Sequence, residues 1–215
     1  YYNWDFVDGN TASSSNACNT YTNVGNIGQQ YTVSLIVEDL QLCADTFTMD
    51  ITVAPQPVSA FTLSSYESCY APQSIDATNF SLYANGYEWR VDGDSISDIF
   101  QPTFQFTDVA EYTVELIASN QYGCSSISDA TYSIYPLPDA NFSADLTSGC
   151  VPVFVNFTNN STGALDVIWD FGDGEQSFGN TAYHEYYTSG TYDISLIAIT
   201  DEGCRDTLTQ PDMIV

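Results

Sequence analysis

Lysine is absent from this 215-residue chain, and Arg90 and Arg205 are its only arginines against 28 Asp and Glu residues. Binding to a phosphate backbone depends on Lys and Arg side chains, which displace its counterions. The formal charge of −26 therefore excludes nucleic acid and anionic lipid surfaces as partners. Such a chain attracts cations instead, and calcium is the usual extracellular candidate for carboxylate and carbonyl oxygens.

Long apolar runs are also absent. No stretch approaches the roughly 18 apolar residues of a membrane span. No basic-then-apolar signal peptide opens the chain. We therefore expect no direct membrane insertion, and a signal for export would lie outside this sequence.

Groups that carry out catalysis are scarce, because the chain has a single histidine, His184, and no Gly-rich phosphate loop. Catalysis needs a nucleophile, a base or a metal in a shaped pocket. With 28 carboxylates in 215 residues, close pairs arise by coincidence and do not indicate a glycosidase. The sequence predicts no catalytic residue and no bound cofactor, so the protein is not expected to be an enzyme.

The six cysteines lack any Cys-x-x-Cys or neighbouring His spacing, which disfavours a zinc site. Disulfides are the favoured alternative, and they indicate an oxidising compartment outside the cell. Buried free thiols remain the other interpretation. The cysteines concerned are Cys18, Cys43, Cys69, Cys124, Cys150 and Cys204.

Aromatic and β-branched residues, by contrast, are abundant, with 16 Tyr and 12 Phe. These residues fit pleated, half-buried surfaces, so we expect an all-β fold with almost no helix. Although acidic chains are often disordered, 44% hydrophobic residues are enough to form cores.

The chain repeats itself with a period of about 80 residues. Three tyrosines, each followed by a cysteine, fall in register in the segments GQQYTVSLIVEDLQLC, VAEYTVELIASNQYGC and SGTYDISLIAITDEGC. Two further series keep the same period, namely Cys69 with Cys150 and the tryptophans Trp4, Trp89 and Trp169.

Within each repeat, alternate positions are apolar and Gly-containing turns separate the runs, a pattern typical of antiparallel sandwiches. Prolines mark two linkers, at 55–57 and 136–138. The sequence predicts a partial module at 1–54 that lacks its first strands, followed by complete modules at 55–136 and 137–215. A more radical interpretation is that another protomer supplies the missing strands.

The motif WDFGDG at 169–174, followed by HEY at 184–186 and GTYDI at 190–194, resembles the PKD domain, an Ig-like sandwich of about 80 residues. The first module keeps WDFVDG at 4–9 and Tyr21 but has Asn19 in the place of the histidine. The second has Phe104 and Phe106 in the places of the histidine and tyrosine. The cysteines around the motif are similar to those of PKD arrays in large secreted Bacteroidota proteins, including adhesins of gliding bacteria and other type IX-exported surface proteins.

Two interpretations compete for the aspartates of this motif. Asp170 and Asp173 either satisfy backbone donors in a tight turn, with Trp169 in the core, or contribute to a calcium site. We favour the turn, because calcium needs six to eight oxygens and one turn supplies too few. The PKD resemblance places His184 in a strand, and we expect its ring to be packed and hydrogen-bonded near Trp169.

The Ig-like topology that this resemblance implies disfavours disulfides within a module. The two cysteines of a module would open its second and last strands, at ends roughly 30 Å apart. A disulfide needs Cα atoms within about 7 Å. In a head-to-tail array the preferred pair is Cys69 with Cys204, while Cys124 would reach back to Cys18 or to a cysteine in the missing segment. Within-module pairing of Cys69 with Cys124 and of Cys150 with Cys204 is the alternative, and the partner of Cys43 is left open.

Ser95 and Thr207 lie in Asp-Ser/Thr-apolar triplets that look like the O-glycan acceptors of Bacteroidota, so they are candidate glycosylation sites. Exposed tyrosines among Tyr183, Tyr186 and Tyr187 could stack on sugars, although packing within the fold is the favoured interpretation.

The favoured function is a non-catalytic extracellular array that acts as a stalk, a filament or a segment of a surface adhesin. Its partners would be neighbouring modules of the same chain, other chains of a filament, or surface polysaccharide. The alternative is a set of accessory binding or spacer modules of a secreted hydrolase.

Overall fold

The computed structural model describes residues 1–215 as nineteen β-strands connected by turns and loops, without a helix. No helix is therefore present that could cross a membrane. Strand pairing is mainly antiparallel, with one short parallel pair in which Ser133–Ile134 lies alongside Glu67–Ser68. The all-β, antiparallel sandwich fold expected from the alternating pattern is confirmed.

Residues 1–54 form one four-stranded sheet in the order β2-β1-β3-β4. Its strands are β1 (Tyr2–Asp5), β2 (Thr11–Ala12), β3 (Gln29–Glu38) and β4 (Ala44–Val53). Because Leu35 pairs with both Trp4 and Phe47, these apolar side chains share one face of the sheet. Phe47 is 68% exposed, so this face is only partly covered.

Two sheets follow in the middle of the chain, ordered β10-β7-β5 and β6-β12-β11-β8-β9. Their strands are β5 (Phe61–Leu63), β6 (Glu67–Ser68), β7 (Gln73–Asn79), β8 (Gly86–Val91), β9 (Asp94–Ser97), β10 (Thr103–Phe106), β11 (Glu111–Ser119) and β12 (Ser125–Ile134). Alternate residues of β7, β10 and β11 are buried, as a strand with one face on a core requires.

The last part of the chain forms sheets ordered β13-β14-β17 and β16-β15-β18-β19. Their strands are β13 (Phe142–Ala144), β14 (Val153–Asn159), β15 (Asp166–Asp170), β16 (Gln176–Phe178), β17 (Thr181–Tyr186), β18 (Tyr192–Ile199) and β19 (Arg205–Ile214). One continuous apolar core lies between them and includes Phe157, Trp169 and Leu196, each no more than 1% exposed. The interior of this sandwich is filled by side chains.

The chain packs as two compact units. One comprises Tyr1–Ser64, Ile75–Phe104 and Tyr112–Thr131, and the other comprises Ser65–Ser74, Gln105–Glu111 and Tyr132–Val215. The short segment Ser65–Ser74, which contains Cys69, thus packs in the same unit as the last sandwich. The module boundaries drawn from the sequence remain a prediction.

Candidate functional site

The aspartates of the third repeat form a turn directly after β15. Asp170 Oδ1 accepts a hydrogen bond from Gly172 N at 3.0 Å, and Asp173 Oδ1 accepts one from Glu175 N at 3.1 Å. Gly172 has φ +77°, and a Cβ there would lie 2.5 Å from the carbonyl oxygen of Asp193. Only glycine fits this position, so the turn depends on both the carboxylates and the glycine.

His184 is held against this turn from the neighbouring sheet. Its Nε2 lies 2.7 Å from Asp173 Oδ2, and its side chain is 7% exposed. The ring stacks on Phe171 with centroids 4.1 Å apart and meets Tyr186 edge-on at 4.6 Å. The ring is therefore packed and hydrogen-bonded, and its ring partners are Phe171 and Tyr186.

Trp169 and Tyr186 complete the motif with one hydrogen bond each. Trp169 is fully buried and donates from Nε1 to the carbonyl oxygen of Gly179 at 2.9 Å. The Tyr186 hydroxyl donates to the carbonyl oxygen of Phe171 at 3.1 Å. Burial, followed by the nearby negative charge of Asp173, holds the pKa of Tyr186 well above its ordinary value, so this hydroxyl stays protonated as a donor.

The first repeat reproduces the same set of bonds with different side chains. Trp4 Nε1 donates to Ser14 O at 3.1 Å, and the Tyr21 hydroxyl donates to Phe6 O at 3.1 Å. Asn19 Nδ2 donates to Asp8 Oδ2 at 2.7 Å, which is the bond that His184 makes to Asp173. Asn19 thus replaces the histidine as the partner of the turn aspartate.

This amide also affects the ionisation of the turn. The hydrogen bond from Asn19 is the largest influence on Asp8, and it lowers the pKa of that carboxyl below its usual range. The backbone N–H of Asn10, which donates to Asp8 Oδ1 at 3.0 Å, acts in the same direction. Both bonds favour the carboxylate form that the turn requires.

The second repeat keeps only the tryptophan bond. Trp89 is fully buried and donates to Ile99 O at 2.8 Å, again ten residues along the chain. Phe104, in the place of the histidine, is 3% exposed and meets the Trp89 ring edge-on at 5.7 Å. Phe106 is equally buried. The histidine–aspartate contact is therefore a property of the third repeat, not of the array.

The two calcium candidates direct their oxygens at protein donors. Besides the backbone bonds to their Oδ1 atoms, Asp173 Oδ2 faces His184 and Asp170 Oδ2 accepts from Gln176 Nε2 at 3.3 Å. All four oxygens thus have a partner within the turn and its neighbours. This geometry favours the turn over a cation site for Asp170 and Asp173.

Of the six cysteines, Cys69 and Cys204 are joined by a disulfide, with Cα atoms 5.5 Å apart. This is the pair preferred in the sequence analysis. Cys18, Cys43, Cys124 and Cys150 are free thiols. The alternative pairs Cys69–Cys124, Cys150–Cys204 and Cys18–Cys124 are therefore not formed, and the expectation that Cys124 reaches Cys18 is wrong for this structure. Because Cys69 and Cys204 have each other as partners, both within-module pairs are excluded together.

The remaining candidate residues lie at the surface. Ser95 in β9 and Thr207 in β19 are exposed, which leaves their hydroxyls accessible for glycosylation. Tyr183 and Tyr187 are 53% and 71% exposed. Both hydroxyls donate to Glu185, Tyr183 to Oε1 at 2.9 Å and Tyr187 to Oε2. These two bonds lower the pKa of Glu185, so the cluster carries a negative charge.

Comparison with known families identifies the segment in which this motif is most complete. Residues 133–215 match the PKD domain family. The resemblance drawn from WDFGDG and its histidine is thereby confirmed for this stretch, called the PKD segment below. No curated protein matches the chain.

Several solved structures are similar in fold alone. The N-terminal eight Ig domains of Down Syndrome Cell Adhesion Molecule are 15% identical with a TM-score of 0.48, and the alignment covers 98% of this chain and 32% of that one. Fibronectin(III)-like modules of Clostridium thermocellum CbhA are 16% identical with a TM-score of 0.41, covering 70% and 92%. A Ca2+-stabilized, ice-binding adhesin of an Antarctic bacterium is 9% identical with a TM-score of 0.36, covering 84% and 55%.

We predict that His184→Asn keeps the fold of the PKD segment better than His184→Ala. Asparagine can donate to Asp173 as Asn19 does to Asp8, whereas alanine removes the donor. A hydrogen bond to a charged group contributes about 1.5–3 kcal/mol, and we expect most of this difference between the two variants. Hydrogen-exchange mass spectrometry of peptides from β15 and β17 measures it as a local opening free energy.

Asn19→Ala in the first repeat is the matched control, and it should accelerate exchange around Asp8 while leaving β15 and β17 unchanged. Equal protection in His184→Asn and His184→Ala would show that the bond to Asp173 contributes nothing to the turn.

Proposed function

We propose that this chain is a non-catalytic, extracellular structural or adhesive repeat array, built of modules at 1–54, 55–136 and 137–215. It acts as a load-bearing spacer in a stalk, a filament or a surface adhesin. The observation that carries this proposal is the disulfide between Cys69 and Cys204, two residues 135 positions apart.

The place of this disulfide suits a mechanical role. Cys69 follows the short strand β6, and Cys204 directly precedes β19. When the ends of the chain are pulled, tension passes through the sulfur atoms and bypasses the chain between the two cysteines. The disulfide also supports an oxidising, extracellular location, because thiols stay reduced in the cytosol.

The interior of the PKD segment supports a structural rather than a catalytic role. The space between its sheets is occupied by Trp169, Phe157 and Phe171, each at most 2% exposed. Its one histidine is stacked on Phe171 and bonded to a carboxylate that also caps a turn. Such contacts hold the His184 side chain in one position, so that its bond to Asp173 can stabilise the turn.

Single-molecule force spectroscopy tests this function. Pulling the oxidised chain by its two ends should leave the segment between Cys69 and Cys204 unextended. Adding a reductant under load should then release about 450 Å of contour length, at roughly 3.3 Å per residue. Cys150→Ser, which removes a free thiol, should leave both lengths unchanged.

The proposal is overturned if the oxidised and reduced chains reach the same final length. In that case the disulfide would not carry load between the ends.

A further inference from the structure

A turn that presents a cysteine occurs three times in the chain, at 39–43, 120–124 and 200–204; we call these segments the cysteine turns. In each, the first residue donates its N–H to the carbonyl oxygen of the cysteine, at 3.0, 3.0 and 2.9 Å respectively. The cysteine N–H in turn donates to a side-chain oxygen of the first residue, which is Asp39, Asn120 or Thr200. The same small set of hydrogen bonds therefore gives all three turns one shape.

Only one of these turns is docked through its cysteine. Cys204 is bonded to Cys69 and is 1% exposed. Cys43 is exposed and Cys124 is intermediate in burial, and both are free thiols. The turn whose cysteine is bonded to Cys69 is thus the one whose cysteine is buried.

The segment that accepts the turn also recurs. Cys150 lies 81 positions after Cys69, and both cysteines follow a segment hydrogen-bonded to the end of the last strand of its repeat. Tyr135 N donates to Ser68 O at 2.9 Å in one repeat, and Val215 N donates to Thr147 O at 3.0 Å in the next. Cys150 is exposed and free, whereas its counterpart Cys69 holds Cys204.

A pocket of about 360 Å³ lies beside Cys150. Its walls include Val151, Val153, Tyr192 and Ile214, and no Asp or Glu side chain lines it. In a chain with a formal charge of −26, an apolar pocket beside an exposed thiol is a distinctive surface. It offers apolar contacts for a turn and a thiol for its cysteine.

We propose that this pocket is the docking site for the cysteine turn of a further PKD-like module continuous with the chain, and that Cys150 forms a disulfide with the cysteine of that turn. The inference deepens the proposed function and rests on it for its biological role. A module in the same polypeptide is favoured over a second copy, because covalent continuity raises the local concentration of the turn. Two copies of the chain, each with a formal net charge of −26, repel one another.

The chemistry requires an oxidant, which is a small disulfide such as oxidised glutathione. One thiolate attacks this disulfide and displaces one glutathione thiolate. The second protein thiolate then attacks the mixed disulfide and displaces the other. Two thiols become one protein disulfide, and the small disulfide is reduced to two thiols.

The experiment extends the full chain with a second copy of residues 136–215, joined by segmental ligation directly after Val215, which occupies the position that Tyr135 has before Pro136. The second copy carries a uniform 15N label, so that its peptides differ in mass from those of the first copy. After refolding with oxidised glutathione, non-reducing peptide mapping should recover Cys150 linked to the second copy of Cys204. Labelling of Cys150 by N-ethylmaleimide should fall at least tenfold relative to the unextended chain. The second copy of Cys150, which has no module after it, should remain fully labelled.

Two variants make the outcome decisive. Cys204→Ser in the second copy of residues 136–215 should restore full labelling of Cys150 in the first copy. An extension made instead from residues 55–135, whose turn carries Cys124, should link Cys150 to the second copy of Cys124, which covers the case in which one extension fails to fold.

Equal labelling of Cys150 in extended and unextended chains, with Cys69–Cys204 intact, overturns the proposal. Disulfide-linked dimers of the unextended chain through Cys150 and Cys43 would also overturn it, because they would assign the pocket to a second copy. The force experiment uses the unextended chain and depends only on Cys69 and Cys204. Its failure is therefore distinguishable from failure of this inference.

Discussion

Replacing both Cys69 and Cys204 with alanine is expected to lower the free energy of unfolding by up to about 5 kcal/mol. The chain-entropy estimate for a disulfide grows with the loop that it closes, and this disulfide joins residues 135 positions apart. The expected loss is large against the roughly 5–15 kcal/mol that stabilises a typical domain. It should fall on the unit that contains Ser65–Ser74 and Tyr132–Val215.

Urea unfolding of the oxidised chain, read by hydrogen exchange in β14 and β18, measures this loss. Cys150→Ala is the matched control, since it removes an exposed, unbonded cysteine 81 positions after Cys69, and it should change stability by less than about 0.5 kcal/mol. A double alanine variant as stable as the control would show that the disulfide closes a loop already restrained in the unfolded state.

Trp169→Ala is expected to destabilise the PKD segment by about 3–5 kcal/mol, as large-to-small changes of buried aromatics do. Trp169 is fully buried and contacts the Phe142 and Phe157 rings at 5.4 and 5.7 Å. Its removal also leaves the carbonyl oxygen of Gly179 without its indole partner. The cavity and the lost hydrogen bond act in the same direction.

Trp4→Ala provides the comparison, because Trp4 makes the same bond ten residues along the chain but is only partly buried. We expect it to cost less than half as much, with the difference reporting the packing of the sandwich. Thermal unfolding by calorimetry, supported by hydrogen exchange in each repeat, measures both variants. Equal losses of stability in the two variants would mean that the hydrogen bond, rather than burial, accounts for the contribution of the tryptophan to stability.

The sequence predicted the fold well, because its signals were local and repeated. Alternation of apolar residues in β18 predicted the buried face that contains Ile194, Leu196 and Ala198, all fully buried. The tryptophan register was informative for the same reason, since each Trp Nε1 donates to a carbonyl ten residues further on. The PKD resemblance rested on WDFGDG, and the family match covers that stretch.

The contacts of the site were harder to predict. The sequence showed that Asn19 stands where His184 does, but it did not show that both side chains bind the second oxygen of a turn aspartate. The equal spacing of Asp8 to Asn19 and of Asp173 to His184, eleven positions in each case, was the available signal. Stacking of the His184 ring on Phe171 joins β17 of one sheet to the turn after β15 of the other, and alternation alone does not determine how two sheets pack face to face.

The covalent link between Cys69 and Cys204 also has a consequence for chain cleavage. Proteases attack exposed connections, such as Pro136 and Leu137 between β12 and β13, which are both exposed. A single cut anywhere between the two cysteines would open the backbone without separating the fragments, since the sulfur bridge still joins them. A nicked molecule would thus remain in one piece and keep whatever it carries attached at either end.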